Sequence, residues 1–144
     1  MRITTSGRYG LMAILKLIAL DRGNPISIRE LASIESISPE FLEQIFFRLR
    51  KSGIIKSTRG PGGGFQMNQD PNEVTVKDIF DAAGEEIVFT RCTTDDCPRA
   101  PCTRENLCLA YEMWAKTADH INEYFESITI QDILDKKSAP GLAL

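Results

Sequence analysis

Apolar residues recur at helical spacing through most of this chain, and two strand-like runs between positions 54 and 67 interrupt them. A first helix is predicted from about Ser6 to Leu20, with Leu11, Met12, Leu15, Ile18 and Ala19 on its apolar face. Asp21-Arg22-Gly23-Asn24-Pro25 ends it. Ser27-Ile28-Arg29-Glu30 has the form of a capping box, in which Ser27 bonds the Glu30 amide and Glu30 reaches back. It opens a second helix whose apolar positions are Ile28, Leu31, Ala32 and Ile34. A short link then leads to Ser38 as N-cap and Pro39 as first residue of a third helix, which runs to Lys51 before Gly53. Its Leu42, Ile45, Phe46 and Leu49 share one face, predicted to be core. Glu40, Glu43, Gln44, Phe47 and Lys51 share the other, which is polar apart from the aromatic Phe47.

Ile54 to Thr58 and Phe65 to Met67 are predicted to pair as a hairpin, with Arg59-Gly60-Pro61-Gly62-Gly63-Gly64 at its tip. Helix, turn, helix and basic hairpin, in that order, describe a winged helix-turn-helix. A fourth helix starts at Thr75-Val76-Lys77-Asp78 and contains the apolar residues Val76, Ile79, Phe80 and Ala83. A loop from Arg91 to about Thr103 follows, then a long helix to about Ser127. That helix carries a stripe of Leu107, Tyr111, Trp114, Ala118, Ile121, Phe125 and Ile128, while Leu109, Met113 and Tyr124 lie off it. A helix needing burial on two sides points to a dimer seam. Thr129-Ile130-Gln131-Asp132 caps a last short helix. The expected fold is mostly α with a small β-hairpin wing: a winged helix-turn-helix plus a long C-terminal dimerisation helix. The expected divisions are a DNA-binding domain over 1–85, a cysteine-rich loop over 86–103, dimerisation and terminal helices over 104–137, and a loose tail over 138–144.

At 144 residues the chain has the size of one domain, perhaps with one appended element. Its apolar run Leu11–Leu20 is too short to span a bilayer, is interrupted by Lys16 and precedes no cleavage signal, so a cytoplasmic protein is expected. The net charge of −3 conceals an asymmetry. Residues 1–69 hold ten Lys/Arg against five Asp/Glu, whereas residues 70–144 hold seven against fifteen. A basic first half suits a polyanionic partner. No nucleophile motif, usable His/Asp pairing or phosphate loop before a helix marks an enzyme.

The four cysteines are spaced Cys92-x4-Cys97-x4-Cys102-x5-Cys108. Such clustering, in a chain with no sign of export, points to a metal or to redox chemistry rather than a disulfide scaffold. Zinc ribbons ordinarily use Cys-x2-Cys pairs, which are absent here, and wider gaps suit a larger cluster with one thiolate per corner. Arg91, Arg99 and Arg104 favour thiolates nearby, opposed by Asp95 and Asp96.

Phe41-Leu-Glu-Gln-Ile-Phe-Phe-Arg-Leu-Arg-Lys-Ser-Gly53, then Arg59-Gly-Pro-Gly-Gly-Gly-Phe65, then clustered cysteines and Leu-Ala-Tyr-Glu-Met-Trp114, resemble the IscR-like branch of the Rrf-two family of bacterial regulators. The resemblance runs from about Met1 to Leu134. It implies a symmetric homodimer, joined by the long helix, whose two winged domains read a palindromic double-stranded DNA operator. It places Ser38, Glu40, Glu43, Gln44, Arg59 and Gly60 at the DNA. Glu43 would accept from cytosine's amino group, Arg59 would enter the minor groove, and Ser38 and Gln44 would make backbone or base contacts. Glu40 departs from the Ser that relatives carry there.

The resemblance also implies that cysteines of the loop hold an iron–sulfur cluster, 2Fe–2S or 4Fe–4S. Some relatives add a histidine one turn after the last cysteine; here that position is Tyr111, and His120, the one histidine, is far down the helix. The expected ligands are Cys92, Cys97, Cys102 and Cys108, or Cys92 and Cys108 with one of the middle pair. The expected function is DNA-binding transcription regulation controlled by the cluster, sensing iron–sulfur supply, redox state or nitric oxide. The alternative is a thiol/disulfide switch without metal. An electron carrier would leave the winged domain unexplained, and a purely protein-binding winged helix would leave Arg59 and the basic first half unexplained.

Overall fold

The computed structural model describes residues 5–21, 23–85 and 108–135. The elements are α1 (Thr5–Leu20), α2 (Ile28–Glu35), α3 (Pro39–Lys51), β1 (Ile55–Thr58), β2 (Gly64–Met67), α4 (Val76–Ala83), α5 (Tyr111–Glu126) and α6 (Ile130–Leu134).

α1 is apolar on most of its circumference, so tertiary packing rather than period selects its buried side. Gly7, Gly10, Ala13, Ile14 and Leu17 are buried. This corrects the predicted face: Met12 and Ala19 are exposed, and Leu11, Leu15 and Ile18 are half-buried. The reason lies in close approach. A Cβ on Gly10 would stand 3.4 Å from Ile45 and 3.5 Å from the Ala83 Cβ, so the small residues let α1 settle against α3 and α4.

Ser27 accepts from the Glu30 amide at 3.2 Å, but the reciprocal bond from the Glu30 side chain does not form, so only half of the predicted capping box exists. In α2, Ile28, Leu31 and Ala32 are buried, whereas Ile34 turns away and is 44% exposed. α3 divides as its wheel predicts, with Leu42, Ile45, Phe46 and Leu49 buried. These join Ile14, Leu17, Leu31 and Ile79 in the main core.

β1 and β2 pair antiparallel with Ile55 opposite Met67 and Thr58 opposite Gly64. A third segment, unforeseen in the sequence, completes this small sheet. Ile26 and Phe65 exchange backbone hydrogen bonds of 3.0 and 2.8 Å. Phe65 then packs edge-on against Phe46, with ring centres 5.1 Å apart. The wing is thereby fastened to the entry of α2 and to the body of α3.

α4 carries a full capping box, Thr75 with Asp78, and buries Val76, Ile79, Phe80 and Ala83. α6 repeats the device with Thr129 and Asp132. The two caps lie side by side, because Val76 donates to Ile128 O and Ile130 to Val74 O, each at 2.9 Å. A second apolar cluster of Val76, Phe80 and Ile128, with Tyr124 and Phe125 against it, ties the end of α5 to α4.

α5 differs from its prediction at the start. Cys108, Leu109 and Ala110 are not helical, and the helix begins at Tyr111 rather than near Thr103. Leu107 lies outside the described residues. No residue of α5 is fully buried. Tyr111, Trp114, Ala118, Ile121 and Phe125 are half-buried, while Leu109 is fully exposed and Met113 is 49% exposed.

Candidate nucleic-acid interface and cysteine segment

The exposed face of α3 and the tip of the wing project from the same rigid unit. α3 is started by the Ser38 hydroxyl, which accepts from the Phe41 amide at 3.2 Å, with Pro39 in the first turn. The Ser38 oxygen is thus used in capping, and its hydroxyl proton stays free to donate outward. Glu40, Glu43, Gln44 and Phe47 are exposed on one side of the helix and, with Arg48, line a shallow hollow of about 540 Å³. The helix ends in Arg48, Arg50 and Lys51. Charge on this surface therefore changes from acidic to basic along α3, which complements the helix dipole at both ends.

Two arginines hold α3 in place, a role not evident in the sequence. The Arg48 Nη1 donates to Ala83 O at 2.7 Å, closing the end of α4. Gly84 adopts φ 78°, a conformation that favours glycine, and a Cβ there would come within 2.8 Å of that nitrogen and push against its bond to Ala83 O. The Arg50 Nη1 donates to the Ser57 Oγ at 3.2 Å, bridging α3 to β1. Ser57 is an exposed strand residue whose only sequence signal was its place in the hairpin.

At the wing tip Arg59 is exposed. Gly60 and Gly62 have φ of 102° and 75°, conformations that side-chain-bearing residues rarely take. Gly63 donates to Gly60 O at 2.9 Å, and a Cβ on Gly63 would lie 2.4 Å from Thr58 O. The glycine run is therefore a specific compact turn that leaves Arg59 at its edge. Ser38, Glu40, Glu43 and Gln44 share one helix surface, and Arg59 and Gly60 share the wing tip.

Of the four cysteines, Cys92, Cys97 and Cys102 lie outside the described residues. Cys108 is exposed, and its carbonyl accepts from the Tyr111 amide at 3.1 Å, so it forms the entry to α5. An accessible thiol on an anchored backbone fits a thiolate ligand. Among the described residues no three His, Cys, Asp or Glu side chains are grouped as a metal site. His120 is exposed on α5, beside Leu109, Met113, Thr117 and Ile121 along an open groove of about 820 Å³. Glu112 and Lys116 line the same groove at 2.6 Å from one another. The bond from Lys116, with its charge, holds the Glu112 carboxyl below the ordinary carboxylate range and raises the Lys116 ammonium above its own.

The sequence matches the Rrf2 family profile, described as "Iron-dependent Transcriptional regulator", over residues 3–136. The chain belongs to the Rrf2 family of transcription regulators. Among relatives of this Rrf2 regulator, the "HTH-type transcriptional regulator IscR" of Pectobacterium atrosepticum is 32% identical over 143 residues, covering 99% of this chain and 85% of the relative. The solved structure "T. potens IscR" superposes with a TM-score of 0.74 at 26% identity, covering 100% of this chain and 93% of the other. "CymR (YrzC) the Global Cysteine Regulator of B. subtilis" superposes with a TM-score of 0.72 at 29% identity, covering 95% and 98%. The winged-helix fold and the assignment to DNA-binding regulators rather than enzymes follow. Among the described residues of this Rrf2 regulator, no helix is long and apolar enough to cross a membrane.

The dual use of Ser38 yields a check. Ser38→Ala is expected to lower folding stability by about 0.5–2 kcal/mol even without DNA, through loss of the cap, and Ser38→Asp to restore most of it. Thermal unfolding of the two variants against the parent measures this; a stable Ala variant would remove the capping assignment.

Proposed function

We propose that this Rrf2 regulator is a homodimer that reads an operator through α3 and the wing, under control of an iron–sulfur cluster held by Cys92, Cys97, Cys102 and Cys108. The observation that carries the DNA reading is the joint presentation of Glu43, Gln44 and Arg59. α3 and the wing are braced together by Arg50–Ser57 and by Phe65 packed on Phe46. In the major groove Glu43 accepts from cytosine's amino group, which selects a base without adding phosphate affinity. Gln44, with Glu40 and the Ser38 hydroxyl near the helix start, sets register against neighbouring base edges and backbone. Arg59, beside Gly60, enters the adjacent minor groove, where a narrow A·T-rich stretch concentrates negative potential.

Dimerisation is supported by α5. Among the described residues this sixteen-residue helix has no fully buried side chain, and Met113 on it and Leu109 just before it are exposed beside the half-buried Ile121. Two such helices packed about a two-fold axis cover these residues and fix the separation of the two wings. His120 belongs to this helix surface rather than to the ligand set.

The cluster reading is supported by four cysteines within positions 92–108, the last forming the entry to α5. When bound, the cluster crosslinks the segment through iron–thiolate bonds and adds a redox-sensitive charge. Anchoring the segment biases α5, and so the spacing of the wings, only as far as the cluster's affinity differs between poses. The signals that act through such a site are iron–sulfur supply, redox state and nitric oxide. The likeness to a structure named as a global cysteine regulator favours a second reading, a thiol/disulfide switch without metal.

Three outcomes are expected. Arg59→Ala costs about 1–3 kcal/mol in specific operator binding at fixed salt, and parent-like affinity would remove the wing contact. Ile121→Glu shifts sedimentation toward monomer by burying an unpaired charge at the seam, and an unchanged dimer mass would place the seam elsewhere. Anaerobically purified protein contains iron and acid-labile sulfide, and holo and apo forms differ about 5- to 150-fold in operator affinity. Absence of iron and sulfide, with disulfide-dependent binding instead, would establish the thiol switch.

A further inference from the structure

Phe47 is the one apolar member of the exposed face of α3, and nothing so far uses it. Its ring is 58% exposed, although Leu42, Ile45, Phe46 and Leu49 already fill the core side of the same helix. The Arg50 guanidinium stands 5.7 Å from its ring centre, and Glu40, Glu43, Gln44 and Arg48 share its surface hollow. Leaving a large aromatic ring in water forgoes the free energy of its burial, and the fold does not require it there. Its neighbours are hydrogen-bonding groups suited to base edges.

We infer that Phe47 is a specificity-determining residue that receives the 5-methyl group of a thymine in the major groove. This rests on the DNA reading above and names what that face selects. The thymine methyl is the apolar group that a major-groove base edge presents, and an aromatic side chain is among its natural partners. Placement along the helix agrees. At a rise of about 1.5 Å per residue, Phe47 is about 6 Å beyond Glu43, close to two base steps of about 3.4 Å. The selected thymine therefore lies about two base pairs from the cytosine that Glu43 contacts. Arg50, itself bonded to Ser57, stands beside the ring and leaves it 58% exposed.

The test begins with in vitro selection of a preferred site from randomised duplex DNA by the full-length parent. Each thymine of that site is then replaced by deoxyuridine, which removes the methyl and leaves base pairing intact. One thymine per half-site is expected to be sensitive, with about fourfold loss each, the equivalent of one buried methyl-sized group. Phe47→Ala is expected to unfold at the parent's temperature, to bind more weakly, and to lose no further affinity when that methyl is removed. Phe47→Leu retains sensitivity to the methyl. A site that tolerates deoxyuridine everywhere, or a loss that persists unchanged in Phe47→Ala, overturns the inference and leaves the DNA reading standing. The same holds if Phe47→Ala binds like the parent but loses contact with another protein. Selection that enriches no sequence at all removes the DNA reading itself, and this inference with it.

Discussion

The close approach of two backbones, at Ile26 and Gly64, governs the arrangement of the winged unit. A Cβ on Gly64 would stand 2.3 Å from Ile26 O, a distance that real side chains do not tolerate. Because glycine is present, Ile26 and Phe65 can exchange both backbone hydrogen bonds, and a two-stranded hairpin acquires a third partner. An isolated hairpin of four-residue strands is marginal in water. Stitched to the segment that enters α2, with Phe65 against Phe46, the wing becomes part of the core. The positions of Arg59 and Glu43 are then related through backbone hydrogen bonds rather than through a flexible tip.

Electrostatic braces complete this unit without burying charge. Arg48 uses one nitrogen on the Ala83 carbonyl at the end of α4, and Arg50 bridges to the wing. Glu43, Gln44 and Phe47 stay exposed beside them. An arginine suits such roles because its planar fork can hold one partner in fixed geometry while its stem covers apolar surface. α3, whose exposed face carries Glu43, Gln44 and Phe47, is thereby also joined to α4 and, through it, to the C-terminal helices.

The C-terminal part is joined to this unit at one end. α5 is held there by Phe125 on Phe80 and by the paired caps at Thr75 and Thr129, while its other end begins beside Cys108. Among the described residues Leu109 and Met113, near that other end, are exposed, whereas Tyr124 and Phe125 pack against α4.

Much of this was legible in the residues. Ser38-Pro39, Thr75 with Asp78 and Thr129 with Asp132 announced three helix starts, because caps are local chemistry. The two faces of α3 were legible because its polar and apolar positions separate cleanly at helical period, and so were the residues now grouped on its surface. Other features needed the folded chain. The buried side of α1 was misread because that helix is apolar almost all round and only contact with α3 and α4 distinguishes its sides. The start of α5 was misplaced because the residues ahead of it lack a decisive stop. The Ile26 bridge, Arg48 on Ala83 and Arg50 on Ser57 join positions far apart in sequence, and no local signal encodes them. Local hydrogen bonding and period thus determined which segments form elements and which α3 residues face solvent. Tertiary packing alone decided how the wing is fastened, which arginines brace α3 and which side of α1 is buried.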